Sequence, residues 1–283
     1  MPAWLYWAAV VYVGLCVGSF LNVVIHRLPI MMQRQEHAWA REALEIDSNG
    51  EADGGAEPAP YNLAVPRSAC PQCGHQIRAW ENIPVVSWLW LRGRCSACGA
   101  RISLRYPVVE AATGAATVVV LMLFGPTWAG LWALVFTWSL IALTLIDFDH
   151  QLLPDVIVLP LLWLGLLVNA AGVFASLHEA VIGAAIGYGT LWAVYWGFRL
   201  ITGKEGMGYG DFKLMGAMGA WLGWAALPGL VLLASLTGIL AAIALMVSGR
   251  MGREAPMPFG PFIAAAGWLA MLLTTIQFRM PGF

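Results

Sequence analysis

Charge is what this chain of 283 residues has least of. Asp, Glu, Lys and Arg make up only 11% of it, against about 25% in soluble proteins. A globular fold could not be wrapped in so little polar surface. Net charge is also nearly absent, at −1, which argues against a nucleic-acid partner. Cysteine is scarce as well: five residues are too few for a disulfide-stapled scaffold. No internal repeat stands out. No basic segment precedes the first apolar run, over residues 4–25, so that run reads as a retained span rather than a signal peptide. Apolar residues reach 60% and there are 15 Trp, a residue that favours membrane–water interfaces. The excess must face lipid, so the expected fold is an all-α polytopic membrane protein.

About 20 apolar residues cross a bilayer, and eight runs meet or approach that length: 4–25, 106–125, 127–146, 156–175, 181–200, a shorter 212–227, 228–248 and 259–276. Only Pro228 and Gly229 punctuate the sixth and seventh, so seven spans are the alternative. With eight, fourteen of the fifteen Lys and Arg fall on one side of the membrane and only Arg279 on the other. Basic residues are retained in the cytoplasm. That predicts a cytoplasmic insert and periplasmic termini, with a division into a first helix (1–29), the insert (30–105) and a seven-helix membrane core (106–283).

The insert is chemically distinct. Residues 31–105 hold eight Arg and eight acids. Residues 31–46 have helical character, and the Gly-, Pro- and acid-rich 47–60 reads as a linker. Next come Cys70-Pro-Gln-Cys73-Gly and Cys95-Ser-Ala-Cys98-Gly, whose spacing fits a tetrahedral four-cysteine zinc site with no open coordination position. Disulfide or redox chemistry is the alternative, which a reducing cytosol disfavours. Cys16 lies within the first run and reads as packing.

Acids are expensive at membrane depth, which makes them functional candidates. The third run ends in LTLIDFDHQLLPD, with Asp147, Asp149 and Asp155. The sixth opens in GMGYGDFK, with Asp211. In the predicted topology both groups lie at the cytoplasmic edge. Two acids held together share a proton, a state suited to peptide hydrolysis. Gly206, Gly208 and Gly210 would admit a close-lying extended substrate. The competing readings are snorkelling acids, a helix N-cap at Asp211 and an ion relay.

GSFLNVVIHRLP, the CxxC…CxxC insert, IDxDxxxLPD and, about sixty residues on, GxGD together resemble the bifunctional type IV prepilin peptidase/N-methyltransferase family along nearly the whole chain. The resemblance implies a GxGD-class aspartyl protease of the bacterial inner membrane. Such an enzyme removes the basic leader of type IV prepilins and type II secretion pseudopilins. It then methylates the new terminus, usually Phe, with S-adenosylmethionine. The catalytic pair falls on Asp147 and Asp211, and the metal ligands on Cys70, Cys73, Cys95 and Cys98. Asp149, Asp155, Gly208, Gly210, Lys213 and Gly93 are supporting or substrate-binding candidates. The expected partners are these pilins and the lipid bilayer. An acidic edge of Asp147, Asp149, Asp155, Glu205 and Asp211 would attract a basic leader.

Several tempting features have plainer readings. GMGYGD lacks the βαβ context of a nucleotide fingerprint, and Gly93 also suits a knuckle turn. Asn22 and His26 share a helix face and could line a site, while Arg27 suits interfacial anchoring. Gly14 and Gly18 form a GxxxG packing motif. Glu110 reads as snorkelling toward Arg105, and His150 as a solvated loop residue. The rival functions are a proton-coupled transporter and a methyltransferase alone.

Overall fold

Each of the eight apolar runs forms a helix. The computed structural model describes residues 2–43, 60–204, 206–249 and 257–279, the side chains of 275–279 excepted. Glu205, Arg250, Arg253 and all of the expected linker but Pro60 lie outside the described residues. Among these there are nine α-helices and no strand beyond two isolated bridges. They are α1 (Ala3–Ala43), α2 (Val86–Trp90), α3 (Arg105–Phe124), α4 (Trp128–His150), α5 (Asp155–Ala170), α6 (Leu177–Thr202), α7 (Tyr209–Leu222), α8 (Leu227–Val247) and α9 (Gly260–Arg279). Helices α1, α3, α4, α6 and the stretch Trp224–Val247 are long and apolar enough to cross a bilayer. The chain is an all-α polytopic membrane protein with a small cysteine-bearing insert.

Two features depart from the sequence pattern. Helix α1 continues unbroken through Pro29 for 41 residues, about 62 Å. It therefore includes the first part of the insert, and position 29/30 falls inside it. The break after the sixth run comes at Gly223 (φ 77), where a 3₁₀ turn over Trp224–Ala226 follows, not at Pro228. Proline needs no amide partner in the first turn of a helix, and Pro228 occupies that turn of α8.

The chain divides into two compact units, Met1–Ala116 and Thr117–Phe283. In the first, α1 and α3 pack through small residues. A side chain added at Gly18 would come within 2.7 Å of the Glu110 Cα, so the GxxxG face is where the two backbones touch. Asn22 donates to the carbonyl of Tyr106 at 3.1 Å, which makes it a helix-packing residue.

The second unit is organised around α7. Its 14 residues span about 21 Å, short of the roughly 30 Å hydrocarbon layer. From Asp211 to Leu222 every residue but Lys213 is buried. A helix apolar all round belongs inside other helices, and α7 packs chiefly on α6, α5 and α9. Gly183 and Gly187 of α6 meet the backbone of α7 at Gly219 and Met215, which is why α6 approaches so closely. Trp221 is fully buried, and its indole donates to the Leu161 carbonyl at 2.8 Å. Asn169 donates to Ala220 and Trp221 and accepts from the amides of Phe174 and Ala175. That intramembrane polar side chain has all its bonds made and serves structure.

Candidate functional site

Asp147 lies in the last turn of α4, whose C-cap Gln151 takes a left-handed conformation (φ 52) and donates to the Asp147 carbonyl. The reversal sends Leu152-Leu153-Pro154 back into the bundle before α5 opens at Asp155. Asp211 stands in the first turn of α7, three residues after the cap Gly208. It is therefore not the N-cap; its carboxylate folds back toward the Gly208 amide. Both acids are nearly buried, at 5% and 7% exposure, and Asp211 feels the charge of Asp147. The bundle thus brings together two carboxylates 64 positions apart in sequence, 211 less 147.

A third element completes the site. The Gly260 amide, opening α9, donates to Asp147 Oδ2 at 3.0 Å. A Cβ there would lie 2.6 Å from that oxygen and 3.2 Å from Leu153 Cδ2, so α9 can approach only as glycine. Gly210 is fixed in the same way, because a Cβ would meet that of Leu153 at 2.8 Å. Leu153 is itself buried and wedges both glycines. Gly260 was missed by sequence reasoning. Its one signal was a glycine between aromatic and proline in PFGPF, at the same end of the bundle as the acids.

The other candidates separate. Asp155 is exposed and takes a bidentate ion pair from Lys213 (2.7 and 2.8 Å). Asp149 is exposed on α4. The acidic edge therefore carries less free charge than its residue list suggests. Gly206 meets the Phe198 ring, whereas a side chain at Gly208 would touch only Asp211 Oδ2 at 3.9 Å. Of the three glycines, Gly208 alone borders open space beside a carboxylate. Glu110, read as a snorkelling acid, is buried and accepts the Val85 amide at 2.7 Å. Arg27 is buried too. Its guanidinium donates to the carbonyls of Asn62 and Pro66 (2.9 and 2.6 Å), clamping the start of the cysteine segment to α1.

The four cysteines converge. Each CxxCG turn closes the same way: Gly74 donates to the Cys70 carbonyl and Gly99 to that of Cys95, both at 2.9 Å, with both glycines at φ near 70. Sγ of Cys70 lies 3.8 Å from Cys98, Cys73 lies 4.0 Å from Cys95, and all four sulfurs fall within 4.8 Å of one another. A tetrahedron with metal–sulfur bonds of about 2.3 Å has edges of about 3.8 Å. The group fits a tetrahedral metal ion. Amides of Cys73 and Gln72 hold the Cys70 thiol down to about 7, and those of Cys98 and Ala97 also lower Cys95. For Cys73 the His75 amide pulls down, but contacts with the Cys98, Cys70 and Cys95 sulfurs together with burial push it up to about 12. Four crowded sulfurs cannot all ionise without a cation among them. Gly93 (φ 65) lies against the Trp88 ring, so it serves a turn within the insert.

Residues 12–124 match the family model of the bacterial peptidase A24 N-terminal domain, and residues 134–243 that of the type IV leader peptidase family. The prepilin leader peptidase/N-methyltransferase of Aeromonas hydrophila is 56% identical over 269 residues, covering 95% of this chain and 91% of its own. That of Stutzerimonas stutzeri is 56% identical over 261 residues (92% and 88%). That of Pseudomonas aeruginosa is 53% identical over 277 residues (96% and 93%). No solved structure matches the chain significantly.

Proposed function

The chain belongs to the type IV leader peptidase family, and from that premise we propose how its residues divide two reactions. The protein is a peptidase and an N-methyltransferase: it removes prepilin leaders and methylates the amino group exposed. The observation that carries the catalytic assignment is the pairing of Asp147 with Asp211, both nearly buried and both at helix ends. Asp147, whose oxygen is held by the Gly260 amide, is the ionised partner and takes a proton from the attacking water. Asp211, protonated, polarises the scissile carbonyl, and the proton that Asp147 took from water passes to the leaving amine, which restores the pair. Gly208 leaves room for an extended backbone beside Asp211.

In this reading both carboxylates stand at the cytoplasmic face of the bacterial inner membrane, with both termini periplasmic. The basis is the asymmetry of fourteen Lys and Arg against one. Type IV prepilins and type II secretion pseudopilins present a basic leader in the cytosol and an apolar helix in the bilayer. Their scissile bond therefore meets water at that interface. The functional division is a first helix over 1–29, an insert over 30–105 and the protease core over 106–283. S-adenosylmethionine is the methyl donor, and the new terminus is usually Phe.

Cys70, Cys73, Cys95 and Cys98 hold zinc, which supplies folding energy to the insert and leaves no position for substrate. Asp149, Asp155, Lys213 and Gly210 shape the surroundings of the carboxylates without touching the reacting atoms, and Gly93 serves a turn within the insert. The deciding experiment incubates purified protein with a synthetic prepilin and reads product masses. Truncation plus a methyl supports the reading; an intact leader would remove the peptidase half.

A further inference from the structure

Between the two cysteine pairs the chain makes a finger whose apolar side chains point outward. Trp90 is 81% exposed and Leu89 62%, and Trp80, Ile83 and Val86 are exposed as well. Trp80, Ile83, Val86 and Trp90 also line a shallow groove. This is not a failed core. Trp88, on the same short helix α2, turns inward, donates to the Ile102 carbonyl at 3.3 Å and covers Gly93. The finger is thus internally held while it displays two Trp and three aliphatic residues. Patches of that kind mark a surface covered by something else.

Its anchorage says what. Val85, just before α2, has φ 61, a conformation that a β-branched residue adopts only under constraint. The Val86 amide closes that tight turn on the Pro84 carbonyl at 2.6 Å, and the Val85 amide at its apex donates to Glu110 at 2.7 Å. Glu110 lies five residues into α3, about 7.5 Å along that helix, where α3 touches Gly18 of α1. Both helices are long and apolar enough to span a bilayer. The finger is therefore tied, through Glu110, to a point just inside the end of a helix long and apolar enough to cross a bilayer. Around it, Arg67, Arg78, Arg92, Arg94 and Arg101 are all exposed. Glu81 is the one acid in that stretch, and it is occupied by Ser96 (2.6 Å) and the Arg78 amide (2.9 Å). Exposed Trp beside Arg, whose stems snorkel toward phosphate, is the signature of an interfacial segment on an anionic membrane.

We propose that residues 80–91 are an interfacial membrane anchor, seating the metal-bearing insert on anionic lipid headgroups. A basic prepilin leader would be repelled by the same arginines, so lipid and not substrate is the occupant.

The test uses the full chain, metal-loaded, in nanodiscs of mixed phosphatidylglycerol and phosphatidylcholine. A genetically encoded fluorescent amino acid replaces Trp90 or, as a control, the exposed Gln72. Lipids carrying a nitroxide near the headgroup should quench position 90 at least threefold more than position 72. Aqueous iodide should show the reverse order. The double change Arg92→Gln with Arg94→Gln should reduce lipid quenching at position 90 by about half in the anionic discs and leave phosphatidylcholine discs unchanged. Retained metal content shows that the insert is still folded. Equal iodide quenching at both positions would overturn the anchor. Loss of both kinds of quenching at position 90 on adding a prepilin peptide would overturn it too, in favour of a substrate groove. Neither outcome depends on whether cleavage or methylation has been assigned correctly.

Discussion

The cysteine-bearing insert and the helical bundle around α7 keep their shapes by opposite means. Between residues 60 and 104 only Pro84 and Gly93 are buried, far too little to stabilise a fold by apolar burial. Eleven of the 14 residues of α7 are buried. One region depends on four sulfurs, the Arg27 clamp and the Glu110 tether; the other depends on close-packed side chains and on glycines that let helices touch. A carboxylate pair needs the second kind of support, because it must be held apart from water except where water reacts. A metal can give the first kind to a segment that has to stay at the surface.

That contrast fails at once if the carboxylates are not the reacting groups. Asp147→Asn and Asp211→Asn keep side-chain volume and remove the ionisable oxygen. Each should lower the rate of leader cleavage by at least about 10³-fold, within the range of acid–base contributions. The double change should cost little more than either alone, since the two act as a unit. Methylation of a pre-cleaved, Phe-ended pilin should survive Asp211→Asn, because that step needs no activated water. Paired assays by gel shift and mass read both reactions. Loss of both activities in Asp211→Asn would merge the two sites and end the contrast.

Changing the cysteines probes the other region. Cys70→Ser or Cys98→Ser should release the ion and unfold the insert, since structural zinc contributes about 10–16 kcal/mol of binding energy to such small folds. Methyl transfer should then be lost, while cleavage by the bundle falls only in part. Metal analysis alongside the paired assays checks this. Full methylation by zinc-free protein would show that the sulfurs need no metal.

Much of this was legible in the chain. Eight apolar runs gave eight helices because lipid forces apolar segments to close their own backbone bonds. The cysteines could be grouped because CxxC fixes two ligands locally. Depth was harder to read. The run that forms α7 has the composition of a span, yet protein rather than lipid surrounds it, and composition cannot distinguish two apolar solvents. Glu110 and Arg27 were misjudged for a related reason. A charged residue near a helix end usually snorkels, and only the fold reveals backbone groups (Val85, Asn62, Pro66) waiting to be satisfied. Gly260 acts across 113 positions through its amide, a group every residue but proline possesses, so only the lack of a side chain marked it and nothing in the sequence tied it to Asp147.

Gly260 also supplies a gentler test of the bundle. In Gly260→Ala the new methyl would crowd Asp147 Oδ2 and Leu153, so α9 or the carboxylate must move by a few tenths of an ångström or more. Misplacement by about 1 Å costs roughly 10²-fold in rate. The expected loss in kcat is therefore about 10- to 100-fold, with KM little changed and methylation intact. A rise in KM alone would mean that the amide orients substrate and not Asp147.

The smallest effect belongs to the pair at the rim. Lys213 and Asp155 are bonded but half in water, with side-chain exposures of 31% and 50%, and exposed pairs contribute only about 0.2–1 kcal/mol. The pair nevertheless neutralises an acid beside the site, and that sets the sign of the prediction. Lys213→Gln uncovers the Asp155 charge, so a basic leader should be drawn in better. At low salt its kcat/KM should rise by no more than about fivefold, the equivalent of 1 kcal/mol. Asp155→Asn leaves Lys213 bare and should lower kcat/KM by a similar factor. Both changes should vanish near 1 M salt, where charges are screened within about 3 Å. Neither should appear with a leader whose basic residues are neutralised, nor in methylation of a pre-cleaved pilin. A loss of activity in Lys213→Gln that persists in high salt would make the ammonium part of the fold or the chemistry, and the rim would then belong with the buried core.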